Sequence, residues 1–167
     1  MTNNTSLTLR EQDLIDNPVA RVAVCLVLDC ISSMLGEPIE DLNKGVEQFF
    51  SEVKNNVYAK DSVEVCIVTF GDIANCILDF DNLERQTPPV LTAYGNTPMD
   101  DAVNMALNKL EKRKREYKNN GVPYYQPWMV LMTDGQPTQD ISSSSERTAI
   151  LINDKKLTIF PIGIGQG

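Results

Sequence analysis

The chain has 167 residues, 42% hydrophobic and 23% charged, which is the balance of an ordinary soluble domain with a sizeable core. Its net charge of −8 argues against a surface for nucleic acids or anionic membranes, and the absence of histidine excludes His-based triads and the usual His-containing zinc sites. No apolar run approaches the ~18 residues of a membrane span, and the polar N-terminus lacks a signal-peptide core, so we expect a cytoplasmic protein.

The first strong element is an apolar run that ends in an aspartate. We expect residues 1–20 to be a loosely held lead-in, followed by a strand over residues 21–28 that is buried on both faces. Asp29 comes directly after it, at the strand end where open α/β sheets bind ligands. Gly36-Glu37-Pro38 and apolar residues at helical spacing then predict a helix over residues 37–56.

A hairpin and a second long helix follow. Residues 62–70 and 73–80 are separated by a two-residue turn, which predicts an antiparallel pair with an edge strand. Thr97 as cap, Pro98 at the first position and Asp100 as capping-box acid predict the start of the helix. We expect the charged stretch over residues 111–115 to be a solvated helix end.

The last third of the chain contains a second apolar run that ends in an aspartate. Residues 128–133 form an apolar run that ends in Asp134, and a helix over 142–155 leads to a strand over 157–164. Helical connections between parallel strands predict an α/β fold with a doubly wound, mostly parallel sheet and one antiparallel edge strand. With strand order 3-2-1-4-5, the switch point brings Asp29 and Asp134 to the same edge.

Two carboxylates at one sheet edge favour a cation between them. Ser33 and Thr97 would add hydroxyls, and such hard oxygens suit Mg²⁺ or Mn²⁺ rather than zinc. Ser32 is either an accessory ligand or a turn residue. The alternative is that each aspartate only caps the helix that follows it.

The four cysteines do not form a Cys-x-x-Cys motif. Cys25 and Cys66 fall inside apolar strand runs, where a free thiol behaves as a small hydrophobe. We therefore interpret the cysteines as structural thiols; the other two are Cys30 and Cys76.

Three loops carry a resemblance to a known family. The strings are Asp29-Cys30-Ile31-Ser32-Ser33-Met34 followed by Gly36-Glu37-Pro38, then Gly95-Asn96-Thr97-Pro98, and finally Met132-Thr133-Asp134-Gly135-Gln136-Pro137-Thr138. Over about residues 21–165 the sequence resembles the von Willebrand factor A (VWA) domain, which has a Rossmann-like fold and a metal-ion-dependent adhesion site. The last string is similar to the bacterial stress and tellurium-resistance type of the family.

The resemblance implies a protein-binding module and not an enzyme. It implies Asp29, Ser33, Thr97 and Asp134 as ligands of the metal, whose shell an acidic side chain of the partner commonly completes. Ile31 stands where the family has a serine ligand. Either Mg²⁺ still binds, with water in that position and weakened affinity, or the site is degenerate and the domain binds partners without metal.

Two enzyme classes fit the sequence less well. A Mg²⁺-dependent phosphotransferase of the haloacid-dehalogenase type also has an aspartate after its first strand, but needs a second acid at the position of Ile31. A dinucleotide-binding fold would need Gly-x-Gly-x-x-Gly after that strand, which this sequence lacks.

The C-terminal end carries one further expectation. Similar family members continue with another helix, a sixth strand and a final helix, so we expect a domain over residues 21–167 that is truncated at its C-terminus. Such a sheet should expose apolar surface near Phe160 and Ile162.

Overall fold

A computed structural model of the chain describes residues 13, 16–96, 98–135 and 140–165. Its central element is strand β1 (Val22–Asp29), in which all residues after Val22 are buried. A strand that is apolar on both faces must be covered on both, and β1 lies between β2 (Val63–Phe70) and β4 (Trp128–Thr133), parallel to each. Most of the predicted lead-in, residues 1–12, 14 and 15, lies outside the described residues.

The sheet has five strands in the order β3-β2-β1-β4-β5. β3 (Ala74–Leu78) pairs antiparallel with β2 at one edge, because the short turn between them leaves no room for a crossover. β5 (Thr158–Gly163) pairs parallel with β4 at the other edge. The predicted α/β class, strand order and single antiparallel pair are confirmed.

Helices cover both faces of the sheet. α1 (Glu37–Asn55) packs with the β1 residues Val24, Leu26 and Leu28. The short helix α2 (Ala59–Ser62) leads into β2. On the opposite face, α3 (Met99–Asn119) packs with Ala23, Cys25 and Val27 and has α4 (Ser142–Asn153) beside it. None of the described helices is long and apolar enough to cross a membrane.

The β5 edge carries exposed apolar side chains. Phe160 and Ile162, where we expected such surface, are 40% and 44% exposed. Trp128 is 41% exposed and contacts Phe160 edge to face, with the ring centroids 5.1 Å apart. The truncation that led us to expect this surface stays a prediction.

One expectation about α3 is wrong. Arg113, within the stretch predicted to be solvated, has a side chain only 4% exposed, with Nη2 2.5 Å from Oε2 of Glu64. It follows Leu110 by three residues and so falls on the apolar stripe of the helix. Asp100 also contacts the neighbouring helix, because its Oδ1 accepts a hydrogen bond from the backbone N–H of Ser144 in α4, at 2.8 Å. Its predicted role in a capping box with Thr97 stays a prediction, since Thr97 lies outside the described residues.

Candidate metal centre

The topology of the sheet places Asp29 and Asp134 at the same edge. Asp29 is the last residue of β1, and Asp134 directly follows Thr133, the last residue of β4. The two strands are parallel neighbours, so both carboxylates lie at the carboxyl edge. The chain leaves β1 towards β2 on one side while β4 lies on the other, which opens a crevice between the loops.

Asp29 is buried and held by neutral donors. It is 1% exposed; its Oδ1 accepts a hydrogen bond from the backbone N–H of Ile31 at 3.1 Å, and its Oδ2 accepts one from the Thr133 hydroxyl at 2.8 Å. Burial raises the pKa of Asp29; the bonds from Thr133 and Ile31 oppose this, and the negative charge of Asp134 adds to it. Ionised Asp29 is therefore in a place that favours a nearby positive charge.

The chain supplies no such charge within its described part. None of the ion pairs among the described residues involves Asp29 or Asp134. Asp134 is partly exposed, so an ion could reach the pair from solvent. The donors at this edge are carboxylate and hydroxyl oxygens, which fit a hard divalent cation.

The serine loop lies beside the two aspartates. Ser32 and Ser33 are exposed and form a 3-10 turn, Ser32–Met34, shortly after β1. The backbone N–H and the hydroxyl of Ser32 both donate to the carbonyl oxygen of Gly95, each at 3.0 Å. The Ser32 hydroxyl thus ties two loops together, and Thr97 lies outside the described residues.

Glycines allow three loops to meet backbone to backbone. Gly95 has φ +80°, and a Cβ there would lie 2.4 Å from the carbonyl oxygen of Gly71. A Cβ on Gly71 would in turn lie 2.9 Å from the carbonyl oxygens of Cys30 and Tyr94. The loop that precedes α3 is therefore held against the loop after β1 by contacts that no larger residue permits.

Ile31, at the position of the family's serine ligand, belongs partly to the core. Its side chain is half-buried and packs against both hydrophobic clusters, one on each face of the sheet. Its backbone N–H still holds Asp29. The assignment of Asp29, Ser33, Thr97 and Asp134 as metal ligands stays a prediction.

Sequence reasoning missed the role of Thr133. Its hydroxyl donates to Asp29 and lies 3.3 Å from the backbone nitrogen of Gly135, so it links β1 to the loop after β4. The signal available was a hydroxyl residue at the end of the strand adjacent to β1, directly before Asp134.

Comparisons with known proteins agree with this architecture. The family model described as von Willebrand factor type A domain matches residues 23–167. An uncharacterised protein of Synechocystis sp. is 22% identical over 147 residues, which are 86% of this chain and 32% of that protein. The chain thus spans about a third of the length of this relative.

Three solved structures share the fold. An aerotolerance-related membrane protein of Bacteroides fragilis superimposes with a TM-score of 0.58 at 17% identity, covering 86% of this chain and 68% of that one. The manganese-loaded TRAP protein of Plasmodium vivax gives a TM-score of 0.56 at 20% identity, covering 88% and 58%. The pilus adhesin SpaC of Lactobacillus rhamnosus GG gives 0.58 at 19% identity, covering 72% and 15%.

At these identities the superpositions show the fold alone. The family model goes further, because it spans the sheet, its helices and the loops at the carboxyl edge. The chain belongs to the von Willebrand factor type A domain family.

Proposed function

We propose that the chain is a protein-binding module whose contact surface is centred on a divalent cation at the carboxyl edge of the sheet. The observation that carries this proposal is the state of Asp29, which is buried beside Asp134 without an ion pair among the described residues. VWA domains are typically interaction modules with a metal-ion-dependent adhesion site and are generally not enzymes.

Asp29, Ser33, Thr97 and Asp134 would hold the ion, with Ser32 as an accessory group. Mg²⁺ or Mn²⁺ suits these oxygen donors, and the manganese-loaded TRAP protein supports a divalent metal in this fold. When bound, the cation supplies a local positive charge and an open coordination position. On a chain of net charge −8, such a charge marks one place where an acidic side chain is attracted.

The surroundings of the site fit a protein partner. Large apolar side chains on neighbouring loops are exposed: Leu35 by 64%, Ile73 by 66%, Val90 by 83% and Tyr94 by 56%. Ile73, Val90 and Tyr94 line one groove next to Cys30. Apolar groups around a charged centre are typical of a binding surface, so we propose a partner with an acidic side chain flanked by apolar ones.

We further propose a role in a bacterial stress or tellurium-resistance system. The support for the stress role is the string that begins at Met132 and ends at Thr138. Residues 136–139, which include the end of this string, lie outside the described residues.

Calorimetric titration with Mg²⁺ and Mn²⁺ tests the metal. We expect binding of one ion by the wild type and a loss of about 100-fold or more in affinity for Asp134→Asn, since even indirect partners of a metal contribute 10- to 100-fold. Asp72→Asn is the matched control, an exposed aspartate on the neighbouring β2–β3 turn, and should bind as the wild type does.

Recovery of the native partner with and without a chelator tests the function. Association that a chelator abolishes supports the proposal. Association that persists in chelator, together with no detectable titration, favours the metal-independent alternative. The position of Ile31 supports this metal-independent alternative, because its half-buried side chain packs into the core and offers no oxygen to a metal.

A further inference from the structure

A row of thiols crosses three strands on the face covered by α3. Cys25 of β1 and Cys66 of β2 are register partners, both fully buried. Cys76 of β3 is the register partner of Val68, two residues after Cys66, and the Sγ atoms of Cys66 and Cys76 lie 3.7 Å apart. Asp79 follows β3, and one of its carboxylate oxygens lies within 4.8 Å of both sulfur atoms.

We propose that Cys66, Cys76 and Asp79 form a second metal site, which takes a soft divalent cation such as Zn²⁺. Zinc binds thiolates at about 2.3 Å in tetrahedral geometry, which places two sulfur ligands about 3.8 Å apart. The observed distance of 3.7 Å between the two sulfur atoms is close to this value. Cys76 and Asp79 are only partly buried, so solvent can provide the fourth ligand.

The chemistry separates this site from the aspartate edge. Thiolates select zinc and similar soft ions, whereas Mg²⁺ prefers the oxygen donors near Asp29. The two sites also lie on different elements, since Asp79 follows β3 and Asp134 follows β4. Saturation of one with Mg²⁺ should leave the other free for zinc.

Zinc can bind at this site without changing the net charge of the site. Nζ of Lys109 lies 3.1 Å from Oδ2 of Asp79, so that carboxylate is already balanced. The metal-free pair consists of two thiols that share a hydrogen bond between their sulfur atoms. Zinc therefore replaces two protons: two S–H bonds break, two Zn–S bonds form and two H⁺ leave.

Bound zinc would link strand β3 to strand β2 at the edge of the sheet. Among the strands of the described residues, β3 lies at the edge and pairs with β2 alone. A metal that joins Cys66 of β2 to Cys76 of β3 and to Asp79 would hold that edge, and ligands that bind only the folded state raise its melting temperature.

Titration with Co²⁺ and then Zn²⁺ tests the site on fully reduced protein in excess Mg²⁺. We expect one Co²⁺ to give thiolate-to-cobalt charge-transfer absorption, which Zn²⁺ then abolishes, with two protons released per ion. Cys76→Ser should bind at least about 100-fold more weakly. Cys30→Ser is the control, since that thiol lies in the opposite core cluster, and should leave the absorption unchanged. Absorption that is absent, or equal in Cys76→Ser, overturns the proposal.

A second measurement needs no variant. Zn²⁺ should protect Cys76 from alkylation by iodoacetamide and raise the melting temperature of the wild type by several degrees, read by circular dichroism. Unchanged alkylation of Cys76 at saturating Zn²⁺ overturns the proposal, even if Cys76→Ser proves unfolded.

Discussion

Two buried carboxylates lie at opposite ends of the central strands, and the chain treats them differently. Glu64, near the start of β2, is 4% exposed and is paired with Arg113 and hydrogen-bonded by Tyr117. Asp29, at the end of β1, is 1% exposed and receives hydrogen bonds from Thr133 and from backbone N–H groups.

The difference separates a structural carboxylate from a functional one. Burial opposes the charge of Arg113, but the carboxylate of Glu64 outweighs it and raises the pKa of the guanidinium. At Asp29 burial acts without a cation and raises the pKa of the acid. A buried charge that the fold does not balance itself is suited to a cation from outside.

Removal of the internal cation should have the largest effect. Arg113→Met would leave Glu64 buried and unpaired, which costs about 3–5 kcal/mol of unfolding free energy in comparable pairs. Urea denaturation measures the change. Arg115→Met, on an exposed position of the same helix, is the control and should stay within about 0.5 kcal/mol of the wild type. A loss below about 1 kcal/mol for Arg113→Met would show that its ion pair with Glu64 does not stabilise the fold.

Neutralisation of the other carboxylate should act in the opposite direction. Without divalent cations, Asp29→Asn should stabilise the fold by about 1 kcal/mol, because the unbalanced charge is gone. The amide oxygen still accepts from the Ile31 N–H, and the amide nitrogen donates to the Thr133 hydroxyl, whose own proton turns to the carbonyl oxygen of Gly135. Mg²⁺ should raise the melting temperature of the wild type but not of the variant. A variant less stable than the metal-free wild type would contradict the comparison.

The same pair of proteins gives a pH dependence. Because folding raises the pKa of Asp29 above 3.8, the folded state holds its proton more tightly, and stability falls as pH rises through the raised value. The advantage of Asp29→Asn should thus be full at neutral pH and vanish below 3.8. Denaturant unfolding of both proteins between neutral pH and pH values below 3.8 measures this difference in stability. A difference that grows towards low pH would contradict the prediction.

Ile31→Ser should raise the affinity for Mg²⁺ and lower the stability of the metal-free fold. A hydroxyl in place of a bound water is worth about 1–2 kcal/mol, or roughly 5- to 30-fold in Mg²⁺ affinity. Since Ile31 packs against both clusters, the same change should lower the metal-free stability by about 1–2 kcal/mol. Calorimetry and urea denaturation separate the two effects; equal or weaker Mg²⁺ binding in a folded variant would place residue 31 away from the ion.

The sequence predicted the parts that depend on local pattern and on topology rules. The apolar run of β1 required cover on both faces, and the βαβ units with one tight turn determined the strand order. The neighbouring positions of Asp29 and Asp134 followed from that order alone. Periodicity places Arg113 on the apolar stripe of its helix but could not show that a charged side chain is balanced there, because its partner Glu64 is 49 residues away in the sequence.

The finer structure of the site depended on contacts across the chain. Asp100 is placed like a helix cap but bonds Ser144 of α4, 44 residues later. The hydroxyl of Thr133 reaches Asp29 over 104 residues. Hydrogen-bond partners so far apart are chosen by the packed fold, and no local spacing rule identifies them.

The smallest expected effect distinguishes the two adjacent serines. The Ser32 hydroxyl donates to the carbonyl oxygen of Gly95, which the Ser32 backbone N–H also reaches at the same 3.0 Å. Ser32→Ala should therefore change stability by about 0.5 kcal/mol or less and Mg²⁺ affinity by less than about twofold, since one exposed hydrogen bond is lost while its backbone counterpart remains. Ser33→Ala is the comparison, since it removes the hydroxyl proposed as a ligand, and should weaken Mg²⁺ binding by roughly 5- to 30-fold at unchanged stability. Calorimetry on both variants measures this; a larger loss for Ser32→Ala would make Ser32 the ligand and Ser33 the turn residue.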